Sequence, residues 1–89
     1  MKVEYRTLFL RDMKKLKKQE VYASIYDLVF TTLPEATSVQ ELPNVNALVG
    51  TSNRYRIRMG NYRIGFEVNG DQIELMRVLH RRDFYRYFP

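Results

Sequence analysis

The stretch Arg54-Tyr55-Arg56-Ile57-Arg58-Met59-Gly60-Asn61-Tyr62-Arg63-Ile64-Gly65-Phe66-Glu67-Val68 decides the fold. Apolar residues alternate with polar ones or glycine on both sides of Gly60-Asn61, which is the pattern of two strands joined by a two-residue turn. That turn pairs 59 with 62, 58 with 63, 57 with 64 and 56 with 65. Tyr55, Ile57, Met59, Tyr62, Ile64 and Phe66 then share a covered face, and Arg54, Arg56, Arg58, Arg63 and Glu67 share the other. Arg58 lies directly opposite Arg63. Like charges so opposed cost a sheet roughly 0.2–1 kcal/mol, a cost that an anion lying between them would remove.

Beyond the hairpin, Asn69-Gly70 predicts a second turn and Gln72 to Leu79 a last strand, apolar on both faces and therefore central. The same counting puts Met76 beside Arg63 and gives His80 the facing of Arg58 and Arg63. Arg81 to Tyr87 predicts a short closing helix. On the N-terminal side, Val3 to Arg6 reads as a strand. Thr7 can cap a helix running to about Lys18, with Phe9, Met13 and Leu16 as its apolar stripe and Lys14, Lys15, Lys17 and Lys18 in water. A second helix from about Glu20 carries Val21, Ile25, Leu28 and Val29 inward, and Pro34 stops it. Tyr22 and Tyr26, one turn apart, read as packing residues. Residues 35–53 read as loop with a short strand near Val39 to Leu42. The expected architecture is α+β, a single domain over 1–89: an N-terminal strand and a helical hairpin on one face of a small, antiparallel-dominated sheet, closed by a short C-terminal helix.

Composition bounds the chemistry. A chain of 89 residues with 45% hydrophobic and 13% aromatic content folds as one unit with a modest core. A partner that binds only the folded form would add to its stability. No apolar run approaches the ~20 residues of a membrane span, which predicts a cytoplasmic protein with no membrane partner. The absence of cysteine removes thiolate chemistry, and one histidine leaves no metal-ligand set, so neither metal nor cofactor is expected. No glycine-rich phosphate loop or nucleophile–base motif points to intermediary metabolism. The net charge is +5, and its distribution is informative. Residues 54–86 hold eight arginines, no lysine and four acids, against seven bases and six acids in residues 1–53. Arginine suits bidentate phosphate contact and base stacking.

Two readings of the arginine face stand side by side. It is the solvated side of a half-covered sheet, with Arg54 paired to Glu67 and Arg56 near Glu74, or it is a phosphate-binding surface in which Arg56, Arg58 and Arg63 hold an RNA backbone. The tail Leu79-His80-Arg81-Arg82-Asp83-Phe84-Tyr85-Arg86-Tyr87-Phe88-Pro89 interleaves arginines with aromatic rings, as single-stranded RNA binders do. Phe84 and one of the two tyrosines can equally plug the core. Arg54, Arg56, Arg82, Arg86 and Tyr87 are the RNA-binding candidates.

The order and spacing of Tyr55-Arg56-Ile57-Arg58-Met59-Gly60-Asn61-Tyr62-Arg63-Ile64 and Arg77-Val78-Leu79-His80-Arg81-Arg82-Asp83-Phe84-Tyr85-Arg86 resemble the RelE branch of the RelE/ParE toxin superfamily over essentially the whole chain. The resemblance implies a microbial ribonuclease fold and metal-independent cleavage of mRNA in the ribosomal A site. It also implies attack of a ribose 2′-hydroxyl on the adjacent phosphorus, and neutralisation by a cognate antitoxin. Carried over by position, it assigns the two basic strand residues to Arg56 and Arg58, the next-strand arginine to Arg63, the arginine after the last strand to Arg81 and the C-terminal tyrosine to Tyr85. In RelE the first two are lysines, one proposed as general base. A guanidinium does not readily give up its proton, so Arg58 reads as an electrostatic stabiliser. The base is left among His80, Tyr85 and rRNA, with Arg81 or His80 assisting the leaving oxygen. Two alternatives remain: a ParE-like inhibitor of DNA gyrase and a catalytically weak RNA-binding relative. The antitoxin is expected to be acidic or amphipathic and to cover the arginine face or displace the tail helix.

Overall fold

A computed structural model describes all residues, Met1–Pro89. The elements are β1 (Lys2–Tyr5), α1 (Thr7–Lys15), α2 (Tyr22–Asp27), a π-helical turn (Leu28–Thr32) leading into α3 (Leu33–Glu35), β2 (Val45–Ala47), β3 (Arg54–Met59), β4 (Tyr62–Asn69), β5 (Gln72–His80) and α4 (Arg81–Tyr87). One five-stranded sheet has the order β1-β5-β4-β3-β2. β1 runs parallel to β5 and the other pairs are antiparallel, so the sheet is mixed. The expected α+β architecture is borne out, with one addition. The N-terminal helices cover one face and α4 covers part of the other.

The β3–β4 hairpin has the register read from the sequence, including Arg58 opposite Arg63 and Arg54 opposite Glu67. Gly60 turns at φ 57°, where a side chain would be strained. Its inward residues Ile57, Ile64 and Phe66 join Ile73, Leu75 and Val78 of β5 under Phe9, Met13, Ile25, Leu28, Val29 and Leu33 of the helices, all buried. Full burial of each such side chain contributes about 1.5–3 kcal/mol.

Several expectations need correction. Arg6 occupies the N-cap of α1 without a side-chain hydrogen bond, and Thr7 is the first helical residue. The helix ends at Lys15 rather than Lys18. The helical run passes through the π turn and ends at Glu35, one residue beyond Pro34. A proline nitrogen cannot donate, so a wider turn spares a bond that could not form. The Val29 carbonyl one π turn earlier instead accepts from the Tyr5 hydroxyl at 2.7 Å. Burial pushes the pKa of that hydroxyl up. The strand expected at Val39–Leu42 is a 3₁₀ turn over Val39–Glu41, and the edge strand is β2, some residues later.

The β4–β5 register also differs. The turn sits at Gly70-Asp71, with Asn69 opposite Gln72, and a bulge at Gly65/Phe66 shifts the pairing again. Arg63 therefore faces Leu79, not Met76, and His80 lies opposite Tyr62. The combined slip is odd, and an odd slip reverses the facing of every later side chain. His80 is thus on the covered face, away from Arg58 and Arg63.

Candidate nucleic-acid interface

The hairpin's outward face is divided in two by the tail. Phe84 and Phe88 of the tail are buried against it. Phe88 lies so close over Gly65 that a β-carbon there would meet the ring at 2.7 Å. Around this small second core the charges are matched. Arg54 donates to Glu67 at 3.0 Å and stacks over the Phe88 ring at 5.4 Å. The Asn69 amide bridges Glu67 and Glu74 at 3.0 and 2.8 Å, and Arg6 pairs with Glu74 at 3.4 Å. Glu67 sits below its usual carboxylate pKa because Asn69, and then Arg54, stabilise its charge. This half fits the solvated-face reading in part. Arg54 does pair with Glu67, whereas Glu74 takes Arg6 rather than Arg56.

The other half holds Arg56, Arg58, Arg63, Arg81 and Tyr85. No carboxylate lies within ion-pair distance of any of these four arginines, since the three ion pairs of the molecule are Arg6–Glu74, Arg54–Glu67 and Arg77–Asp12. Arg63 is the centre. Its pKa is lowered first by partial burial and then by repulsion from Arg56, Arg58 and Arg81, with Tyr85 opposing. The three arginines therefore lie near enough to repel it, Arg58 as its cross-strand partner. The guanidinium is held by backbone oxygens, Nη1 donating to the carbonyls of Gly60 and Tyr62 at 2.9 and 3.0 Å. Its remaining donors are left for a ligand. Arg81 is brought to the same turn by its own amide, which donates to the Asn61 carbonyl at 2.8 Å.

α4 sorts the tail. Arg81 and Tyr85 stand one helical turn apart on the side that also carries Phe84 and Phe88, so burial of the two phenylalanines directs the other pair to the open half. Tyr85 is 59% exposed and borders a cleft of about 520 Å³ with Arg56, Asn46, Val49 and Pro89. Asn46 is the cross-strand neighbour of Arg56. Arg82 and Arg86 are exposed to solvent. Tyr87 leaves the cluster and accepts the Arg77 guanidinium over its ring at 5.6 Å. Neither tyrosine is a core plug; that role belongs to Phe84 and Phe88.

His80 is not among the clustered residues. It borders a separate cleft of about 600 Å³ with Asp12, Lys15, Tyr62, Asp83 and Tyr87. That cleft is larger, but a polyanionic strand binds along a charged surface rather than inside a cavity, so volume does not decide between them. Two residues that hold the site were not singled out from the sequence. Asp12, buried in α1, accepts two hydrogen bonds from Arg77 at 2.8 and 3.0 Å and one from the Val78 amide at 3.1 Å. It closes the edge of β5 left open where β1 ends. Phe88 anchors the tail. Asp12 falls on the apolar stripe of α1, three residues after Phe9 and four before Leu16, so a carboxylate there signals a buried partner without naming it, whereas Phe88 in an aromatic tail gives no such signal.

The family model for the ParE toxin of the type II toxin–antitoxin system parDE matches residues 3–85. Toxin RelE3 of Methanocaldococcus jannaschii is 40% identical over 90 residues, covering both chains fully. The crystal structure of the RelB–RelE antitoxin–toxin complex from Methanococcus jannaschii superposes with a TM-score of 0.80 at 37% identity, over 97% of this chain and 99% of that one. The archaeal RelE–RelB complex from Pyrococcus horikoshii shares the fold, with a TM-score of 0.60 at 23% identity over 90% and 93% of the two chains. The five-stranded sheet, the tail helix laid over its arginine face and these matches agree that the chain belongs to the ParE toxin family of type II toxin–antitoxin systems, within the RelE/ParE superfamily.

Proposed function

We propose that the chain is a ribosome-dependent endoribonuclease that cleaves mRNA in the A site without a metal and so inhibits translation in the cytoplasm. The observation that carries this reading is the open half of the sheet, where Arg56, Arg58, Arg63 and Arg81 converge without a carboxylate among them. Four cations kept together at an energetic cost call for a polyanion. A phosphodiester approaching pentacoordination, with charge growing on its non-bridging oxygens, is the species they would stabilise best.

In this reading the free donors of Arg63 hold the scissile phosphate, with Arg58 across the hairpin on the other oxygen. Arg56 steadies the adjoining backbone. The ribose 2′-oxygen attacks phosphorus as its proton passes to water or an rRNA group, and the bond to the 5′-oxygen breaks as that oxygen takes a proton from water, giving a 2′,3′-cyclic phosphate and a 5′-hydroxyl. Arg81 stabilises the leaving oxygen. Tyr85, the one uncharged protic side chain in the cluster, orients the 2′-hydroxyl and stacks on the neighbouring base. Outer-helix Arg82 and Arg86, together with Tyr87, reach ribosomal or messenger RNA beyond the scissile step. A cognate antitoxin would silence the toxin, acidic where it meets the arginines; the matched structures are themselves toxin–antitoxin complexes.

Primer extension on a reporter mRNA in a purified translation system tests this. The wild type is expected to give cuts that need ribosomes, and Arg63→Ala and Tyr85→Ala to lose them by at least two orders of magnitude, the typical cost of removing one donor to a developing oxyanion. The matching family model's ParE description favours a second reading, inhibition of DNA gyrase. Growth arrest with gyrase-linked DNA damage and no mRNA cuts would establish it instead.

A further inference from the structure

The only histidine stands where a catalytic base would be sought by sequence, yet its ring is already committed. His80 has an extended backbone, φ −60° and ψ 145°, and is the N-cap of α4. Its Nδ1 accepts from the Arg82 amide at 3.1 Å. An imidazole nitrogen that accepts a backbone N–H carries no proton of its own, so the ring proton is on Nε2. The ring is further fixed edge-on to Tyr62, its cross-strand neighbour, at 5.4 Å and 77°. The next orphan donor of α4, the Arg81 amide, is taken by Asn61 of the β3–β4 turn. That same turn supplies the Gly60 and Tyr62 carbonyls that hold Arg63.

We propose that His80 is a positioning residue: by capping α4 through Nδ1 while packing on Tyr62, it fixes the helix that delivers Arg81 and Tyr85 to Arg63. The imidazole touches no reacting atom. Its contribution is the geometric relation between the tail helix and the hairpin turn. α4 has seven residues, too few to hold a helix without its cap and its two buried phenylalanines. Loss of the cap lets the first turn fray, and that turn carries Arg81.

The inference rests on the nuclease reading only for its kinetic consequence, and the test separates the two. Asparagine can cap a helix through its side-chain oxygen and has no imidazole chemistry; alanine has neither. Wild type, His80→Asn and His80→Ala are compared for hydrogen exchange of the Arg82 amide in the free toxin, and for kcat and KM of ribosome-bound mRNA cleavage. Exchange at Arg82 is expected to rise roughly five-fold in His80→Ala, the loss of about one cap, and to stay near wild type in His80→Asn. The kcat is expected to fall ten-fold or more in His80→Ala with KM little changed, and to recover to within about three-fold in His80→Asn.

An asparagine variant that keeps Arg82 protected but is as inactive as alanine would overturn the proposal and give His80 a chemical role. Unchanged exchange in His80→Ala would overturn it as well. Should His80→Ala fail to fold, the asparagine variant decides alone. Should the wild type cut no mRNA, the nuclease reading falls, and the exchange arm still judges the cap.

Discussion

Single residues hold the tail helix in place, and each does so by a contact that can be removed. Gly65 is buried because the Phe88 ring occupies the space a β-carbon would need. Gly65→Ala is expected to cost about 1–3 kcal/mol, the range for overpacking, read as a lower urea midpoint with an unchanged slope. In a Phe88→Leu background the same substitution should cost measurably less; equal costs would mean that the ring is not what excludes the methyl. Glu67 provides a pH test. Its pKa is lowered in the fold, by Asn69 first and Arg54 after, so its contribution is present above the unfolded value of 4.5 and is lost as pH falls through the folded value. Glu67→Gln should therefore be less stable than wild type at pH 6, with the gap closing below about pH 4.5. Parallel stability curves from pH 6 to 3 would show that the carboxylate's charge is not what the two partners stabilise. At this scale the sequence disclosed the actors and not their pairings. Arg54 and Glu67 were legible because strict alternation fixes who stands opposite whom. Asp12 and Phe88 were not, because their partners lie 65 and 23 residues away along the chain, across elements whose packing no local pattern encodes.

Elements were legible in proportion to the strictness of their period. The β3–β4 hairpin, with perfect alternation and a Gly-Asn turn, was read to the residue. The next hairpin failed at a bulge, which leaves no compositional mark beyond Gly65, and one such irregularity moved His80 from the arginine face to the other. Pro34 marked the end of the helical run to within one residue, at Glu35, whereas the π turn that leads into it left no local mark. The hairpin's own conflict is testable. Arg58 opposite Arg63 lowers the stability of the free protein, so Arg58→Thr, which keeps a good strand former, should raise it by roughly 0.2–1 kcal/mol while lowering mRNA cleavage. A variant that loses both stability and activity would show that Arg58 has a structural partner, and the stored repulsion would not then be a trace of function.

For the whole molecule the decisive quantity is how charge is apportioned between the two halves of one sheet face. The acids of that face, Glu67 and Glu74, are gathered at the Arg54 end and neutralised there, which leaves the other end with four unpaired arginines around one turn. This explains why composition alone could not choose between a solvated face and a binding face: both exist, separated by the aromatic tail. It also sets the expected salt dependence. Binding of single-stranded nucleic acid weakens with a log–log slope of roughly −0.7 per phosphate contact, so engagement of Arg56, Arg58, Arg63 and Arg81 predicts a slope near −2.8 and a loss of roughly fifty-fold between 50 and 200 mM salt. Arg63→Ala should make that slope shallower by about 0.7, whereas Arg54→Ala, which removes a charge already matched by Glu67, should leave it unchanged. Fluorescence titration of a labelled RNA oligonucleotide against salt, with these two variants beside the wild type, reads the footprint directly. An Arg54→Ala slope that falls as far as that of Arg63→Ala would mean that RNA displaces the Glu67 pair and runs over the tail-covered half as well, and the tail helix would then have to move for the substrate to bind.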